Sequence, residues 1–123
     1  EKADKEVDLE VDRRTLERAL NNDCVVDSRL SSWVLGDYAD VKIYITADIE
    51  ERAKRVAERE DMSEEEARER IEKRDSDNRD RYMEYYGIDV ENRGIYDLVL
   101  DNTDLGVAAQ RKVIECYLDQ RLE

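Results

Sequence analysis

Three short apolar runs, separated by charged, helix-forming sequence, constrain the fold of this chain more than any other feature. They lie at residues 24–26 in "CVVDSRL", 41–46 in "VKIYIT" and 96–102 in "YDLVLDN". A continuous apolar run of that length, bounded by turn formers, predicts a strand buried on both faces. The sequence between them is helical in pattern. Residues 10–20, "EVDRRTLERAL", carry Val11, Leu16, Ala19 and Leu20 as one apolar stripe among charges. Asp48 is placed to cap a helix from 49 to about 60. Ser63, with Glu66 three residues on, forms a capping box that opens a long charged helix toward Tyr86, with Gly87 as its stop. The "TDL" at 103–105 is expected to cap a last helix, in which Val107, Ile114, Leu118 and Leu122 share a face. The order helix, strand, strand, helix, long helix, strand, helix predicts an α/β domain with a parallel sheet.

The 123 residues leave room for one modest domain, 1–123. Charged residues make up 45% of it, but the apolar residues recur in periodic blocks, which favours a folded domain with a charged surface over disorder. A net charge of −13 argues against a nucleic-acid partner, because phosphate-backbone binders gather cations on one face. No apolar run is long enough for a membrane span and no signal peptide opens the chain, so a soluble, cytoplasmic protein is expected. Histidine is absent, which removes Ser-His-Asp and Cys-His nucleophilic sites and any His-containing zinc site. Cys24 and Cys116 lie in apolar stretches and are expected as buried, reduced thiols; no metal-ligand set is predicted. Of the 21 basic residues 15 are arginine, the planar bidentate binder of phosphate oxygens.

Three constellations could carry chemistry. Asp27, Ser28 and Arg29 follow the first apolar run, and ligands gather at the carboxyl ends of parallel strands. An acid and an arginine there suit a hydrated Mg²⁺ and a phosphate, or else a helix cap and a surface ion pair. Arg52, Arg55 and Arg59, three and four apart, stack on one helical face and invite an anion unless Glu51, Glu58 and Glu60 pair with them. In "KRDSDNRDRYMEYYGID" Arg74 and Arg81 lie two helical turns apart and face the same way, with Arg79 on another side. This arginine-laden helix has little apolar surface of its own. It is expected as a mobile flap, a lid at about 61–87, unless its charges are simply ion-paired.

Taken in order, "EVDLEVDRR", "VVDSRLSSWVL", "ADVKIYITADIEERAKRVAERE", "KRDSDNRDRYMEYYGID" and "IYDLVLDNT" resemble the cytidylate kinases, most closely the short archaeal type, over nearly the whole chain. The resemblance implies a P-loop NTPase-like parallel sheet with flanking helices and an arginine-rich helical lid. The implied reaction moves the γ-phosphoryl of ATP, with Mg²⁺, onto CMP or dCMP. By position, Arg29 would hold the acceptor phosphate, Asp27 would lie near the acid that orders the metal's water shell, and Arg14 would sit at the edge of the acceptor region. Arg55 and Arg59 would meet the nucleotide, Arg74 and Arg81 would be the lid arginines, and Thr103 would pass the ATP base. Two departures stand out. Bacterial relatives carry aspartate at the place of Asn78, and no glycine here is followed by lysine, so the G-x-x-x-x-G-K-[ST] phosphate loop is missing. The expectation is therefore a portion of a longer enzyme, incomplete at its N-terminus and inactive alone, with unpaired strand edges that invite self-association. Two other readings remain: a non-catalytic nucleotide- or protein-binding remnant or engineered module, and a structural α/β domain with ion-paired surface arginines.

Overall fold

A computed structural model of the chain describes residues 10, 13, 14, 16–21, 24–27 and 30–122, with the side chain of Ser31 left out. Each described position from 10 to 21 is helical and forms α1. The chain then passes through α2 (Ser31–Leu35) and a 3₁₀ turn (Gly36–Tyr38) to β1 (Ile43–Thr46), α3 (Ile49–Glu60), α4 (Glu64–Tyr86), β2 (Leu98–Asp101) and α5 (Val107–Arg121). The two strands pair in parallel, Ile43 opposite Leu98 through Thr46 opposite Asp101. The α/β class with a parallel sheet and flanking helices is thus present. α2 and the 3₁₀ turn were not predicted; Leu30, which opens α2, makes no side-chain cap bond that the sequence could have advertised.

Local chemistry accounts for the helix ends. Asp48 accepts the Glu51 N–H at 2.8 Å and starts α3; Ser63 accepts the Glu66 N–H at 3.1 Å and starts α4. The reciprocal half of that capping box is spent elsewhere, since the Glu66 carboxylate accepts from Arg70 at 3.3 Å. Gly87 closes α4 in the left-handed conformation, φ 66°, where a side chain would be strained. α5 corrects the expectation: its N-cap is Gly106, with no side-chain bond, and "TDL" precedes the helix rather than capping it.

The apolar core among the described residues lies between α3 and α4. Ala53 and Ala57 of α3 meet Ala67 and Ile71 of α4, with Ile49, Val56 and Met62 packed alongside. Small residues at 53, 57 and 67 let the two backbones approach closely, and the four-residue spacing keeps each set on one face. The expectation that the long helix has little to bury is corrected here, because Ala67, Ile71 and Tyr82 are all buried.

The sheet differs from its sequence signature in three ways. Residues 24–27 form no strand, and Val25 is 95% exposed. A strand exists by its ladder, and the described sheet consists of β1 and β2, with residues 24–27 paired to neither. Burial on both faces also fails, with Ile45 and Val99 standing in solvent, as do Val107 and Leu122 of the predicted α5 face. Finally, Cys24 and Cys116 are free but exposed, not buried: Cys24 lies in the unpaired segment, and α5 has no buried residue to shelter Cys116.

Candidate functional site

A large open cleft, about 1960 Å³, lies against β1 and the carboxyl ends of both strands. Thr46 and Asn102 line it there, Asp27 and Val26 line it from the unpaired segment, and Ile114 and Leu118 line it from α5. Arg52 and Arg55 reach it from α3, and Arg74 and Arg79 from α4. α4 can supply both core and cleft because one stripe changes character along its length. Ala67 and Ile71 are buried against α3, and the same side of the helix continues as Arg74, Asp75, Asn78 and Tyr82 along the cleft.

The cleft arginines differ in what holds them. Arg52 crosses from α3 to α4 and donates to Asp75 at 2.9 Å. Arg55 donates to Glu51 at 3.2 Å and to Asn102, through the side-chain oxygen at 2.9 Å and the carbonyl at 3.1 Å. Arg79 pairs with Glu91 at 3.0 Å, and that carboxylate raises its pKa further. Arg74 is exposed on the cleft wall and makes no hydrogen bond or ion pair among the described residues. A fifth cation, Arg93, lies 4.9 Å over the Tyr44 ring, which itself packs on Tyr96 at 5.0 Å. Burial pushes the Tyr96 phenol above its ordinary pKa on this wall.

The structure unites some of the expected site residues and separates others. Asp27, Arg55 and Arg74 share the cleft. Arg29 lies outside the described residues. Arg14 is 75% exposed on α1, where it donates to Glu10 at 2.9 Å. Arg13 binds the same carboxylate, and together the two hold Glu10 at a pKa of about 2. Arg59 is 69% exposed near its neighbour Glu60 and, unlike Arg52 and Arg55, is not among the cleft-lining side chains. Arg81, aligned with Arg74 in sequence, rests 5.2 Å over the ring of buried Tyr82 and is not among the cleft-lining side chains. Arg79, expected on another side, is. Thr103 joins two elements: its hydroxyl donates to Asp101 at 2.6 Å and accepts the Asp48 N–H at 2.9 Å. The Thr103 hydroxyl, and then its backbone N–H, hold the Asp101 carboxyl below the usual range.

Asn102 is a cleft residue that the sequence left without a role. Its signal was position, directly after the strand, but nothing in sequence reveals a partner 47 residues away. Among the described residues no three His, Cys, Asp or Glu side chains are grouped to hold a metal, and no helix is long and apolar enough to cross a membrane. Chemically, the cleft combines five guanidinium groups with four carboxylates, of which Asp75 and Glu91 are paired with Arg52 and Arg79 while Asp27 and Asp40 are exposed on its wall. That set suits a polyanionic ligand.

Comparison with known proteins gives the chain its relatives. The model of the cytidylate kinase-like family matches residues 2–104. A cytidylate kinase of Staphylothermus marinus is 37% identical over 120 residues, 98% of this chain and 68% of its own length. One of Thermococcus kodakarensis is 42% identical over 114 residues, 93% of this chain and 58% of its own. One of Ignicoccus hospitalis is 42% identical over 115 residues, 94% of this chain and 67% of its own. The chain thus spans roughly three-fifths to two-thirds of the curated relatives it matches. The match runs through α1, α2, β1, α3, α4 and β2, and the chain belongs to the cytidylate kinase-like family.

Proposed function

We propose that this chain is the acceptor-binding, lid and nucleotide-contacting portion of a nucleoside monophosphate kinase with a P-loop NTPase-like fold, which transfers the γ-phosphoryl of ATP to CMP or dCMP. One observation carries the reading: four arginines from α3 and α4 line a cleft that runs along β1 to the carboxyl ends of both strands, and one of them, Arg74, makes no ion pair among the described residues. Phosphoryl transfer asks little covalent work of a protein and much positioning of charge. Arg55 is oriented toward the nucleotide, and Arg74 is available to the transferring phosphoryl group. Arg59 and Arg81 serve this site on the family resemblance, as Arg29 and Arg14 serve the acceptor. Thr103 supports the same region by tying the exit of β2 to the start of α3.

Mg²⁺ keeps several waters and takes one or two carboxylates together with substrate phosphates. The exposed Asp27 carboxylate on the cleft wall fits that role through water, and no tighter cage is needed. When bound, the ion neutralises charge on the phosphates; the arginines of this chain position them. None of the four glycines is followed by lysine, so the 123 residues do not supply the lysine loop that cradles β- and γ-phosphates. The 123-residue chain assayed alone, with ATP, Mg²⁺ and CMP, is expected to show no turnover. A chimera that joins a relative's phosphate loop to this chain is the functional test. kcat/KM for CMP and dCMP should exceed that for AMP and GMP, and a purine preference would overturn the proposal.

A further inference from the structure

Arg55 stands out among the cleft arginines in being held at three of its five N–H groups. Its Nε donates to Glu51 at 3.2 Å, and its two Nη atoms donate to the Asn102 side-chain oxygen at 2.9 Å and the Asn102 carbonyl at 3.1 Å. Two N–H groups of the fork remain for a ligand in the cleft that Arg55 lines. The orientation of Asn102 is itself fixed. Arginine can only donate, so the amide must turn its oxygen toward Arg55; its nitrogen then needs an acceptor, and Gln110, in the first turn of α5, supplies one at 2.6 Å.

We propose that Asn102, locked by Gln110, is the positioning residue of Arg55, setting the plane of its guanidinium for the phosphates of a bound nucleotide. The neutrality of the amide is central. Glu51 already places one carboxylate on this arginine. A second would orient the fork equally well but would offset the positive charge that an anionic ligand requires. An amide and a backbone carbonyl orient without neutralising. The same chain of bonds ties α5 to the nucleotide site, giving that helix a functional duty although it has no buried residue of its own. This inference rests on Arg55 being a nucleotide-binding arginine, as proposed above.

The test uses the 123-residue chain, with ATP as the calorimetric probe and side-chain NMR of the Arg55 guanidinium as the second readout. Asn102→Leu should free Arg55, making rotation of its Nη groups fast, and should weaken ATP binding about tenfold, the scale of one charge-assisted bond. Asn102→Asp should keep that rotation slow yet still weaken ATP binding, because charge rather than orientation is lost. Gln110→Leu, which touches neither Arg55 nor the cleft, should weaken binding by a smaller factor, about threefold. Slow rotation together with undiminished ATP affinity in Asn102→Leu would overturn the positioning role. Arg55→Ala separates the two layers. Unchanged ATP affinity there removes Arg55 from the nucleotide site and the proposal with it. Weakened affinity there, with Asn102→Leu unaffected, leaves Arg55 in place and removes Asn102 alone. If Asn102→Leu does not fold, Asn102→Asp and Gln110→Leu decide, and wild-type affinity in both would overturn the proposal.

Discussion

The α3–α4 pair and the cleft beside β1 use the same residue types to opposite ends. Between the helices, small apolar side chains close the gap and the surrounding arginines are matched with acids: Arg68 with Glu72 at 3.0 Å, Arg70 with Glu66 at 3.3 Å. Around the cleft, strand residues such as Ile45 remain half in water, and the arginines are bridged across elements or left open. Exposed i,i+4 pairs contribute only a few tenths of a kcal/mol each. The helical pair is therefore held by its apolar contacts, and the cleft is free to devote charge to a ligand. α4 takes part in both, core at one end and cleft wall at the other.

The largest expected effect lies in the helical pair. Ile71 is 2% exposed, and Ile71→Ala should cost about 2–5 kcal/mol in denaturant titration. A loss within the scatter of surface substitutions would show that the core lies elsewhere. Arg81→Ala should cost less, about 0.5–2 kcal/mol, because the guanidinium lies over the Tyr82 ring at a half-buried site. A stability unchanged within error would return Arg81 to the open wall.

A smaller effect should appear with pH. The Lys42 backbone N–H at 2.7 Å, and then Arg121, hold the Asp97 carboxyl below its ordinary 3.8. A carboxyl whose folded pKa lies below its unfolded one stabilises above the unfolded value, and that contribution is lost as pH falls through the folded value. Asp101 behaves alike through Thr103. The denaturation midpoint should hold steady at neutral pH and fall as the solution is acidified below about pH 4. Asp97→Asn should flatten the fall, and an unchanged acid limb would remove Asp97 from it. The smallest effect belongs to the sheet: Val99→Thr, at a site 42% exposed, should shift stability by less than about 0.5 kcal/mol by the same titration.

What the sequence made legible follows from range. Caps are local, so Asp48, Ser63 and Gly87 ended their helices where expected. The parallel pairing of β1 with β2 followed from two apolar runs with helices between them. Residues 24–26 carried the same signature and formed no strand, because the signature records apolar composition whereas a strand also requires a neighbouring ladder. The long helix was misjudged for averaging over its length; Ala67 and Ile71 are small parts of a charged sequence, yet their four-residue spacing alone marked a buried face. Of the site, helical spacing put Arg74 and Arg81 on one azimuth but could not foresee that Tyr82 would engage Arg81. The Arg52–Asp75 bridge and the Asn102 contact depend on how α4 and the residue after β2 approach α3, which no local pattern encodes.

The division of labour between core and cleft is tested most directly at Arg74, exposed on the cleft wall and without a hydrogen bond or ion pair among the described residues. In the chimera carrying a phosphate loop, kcat with CMP and the melting temperature should be measured for Arg74→Ala beside Arg68→Ala, a control whose partners Glu50 and Glu72 lie away from the cleft. Arg74→Ala should lower kcat by about a hundredfold, on the order of 3 kcal/mol of lost transition-state charge stabilisation, with melting unchanged, while Arg68→Ala alters neither. A wild-type kcat with a lowered melting temperature in Arg74→Ala would make the arginine a structural surface charge and contradict the assignment of the cleft to phosphoryl transfer.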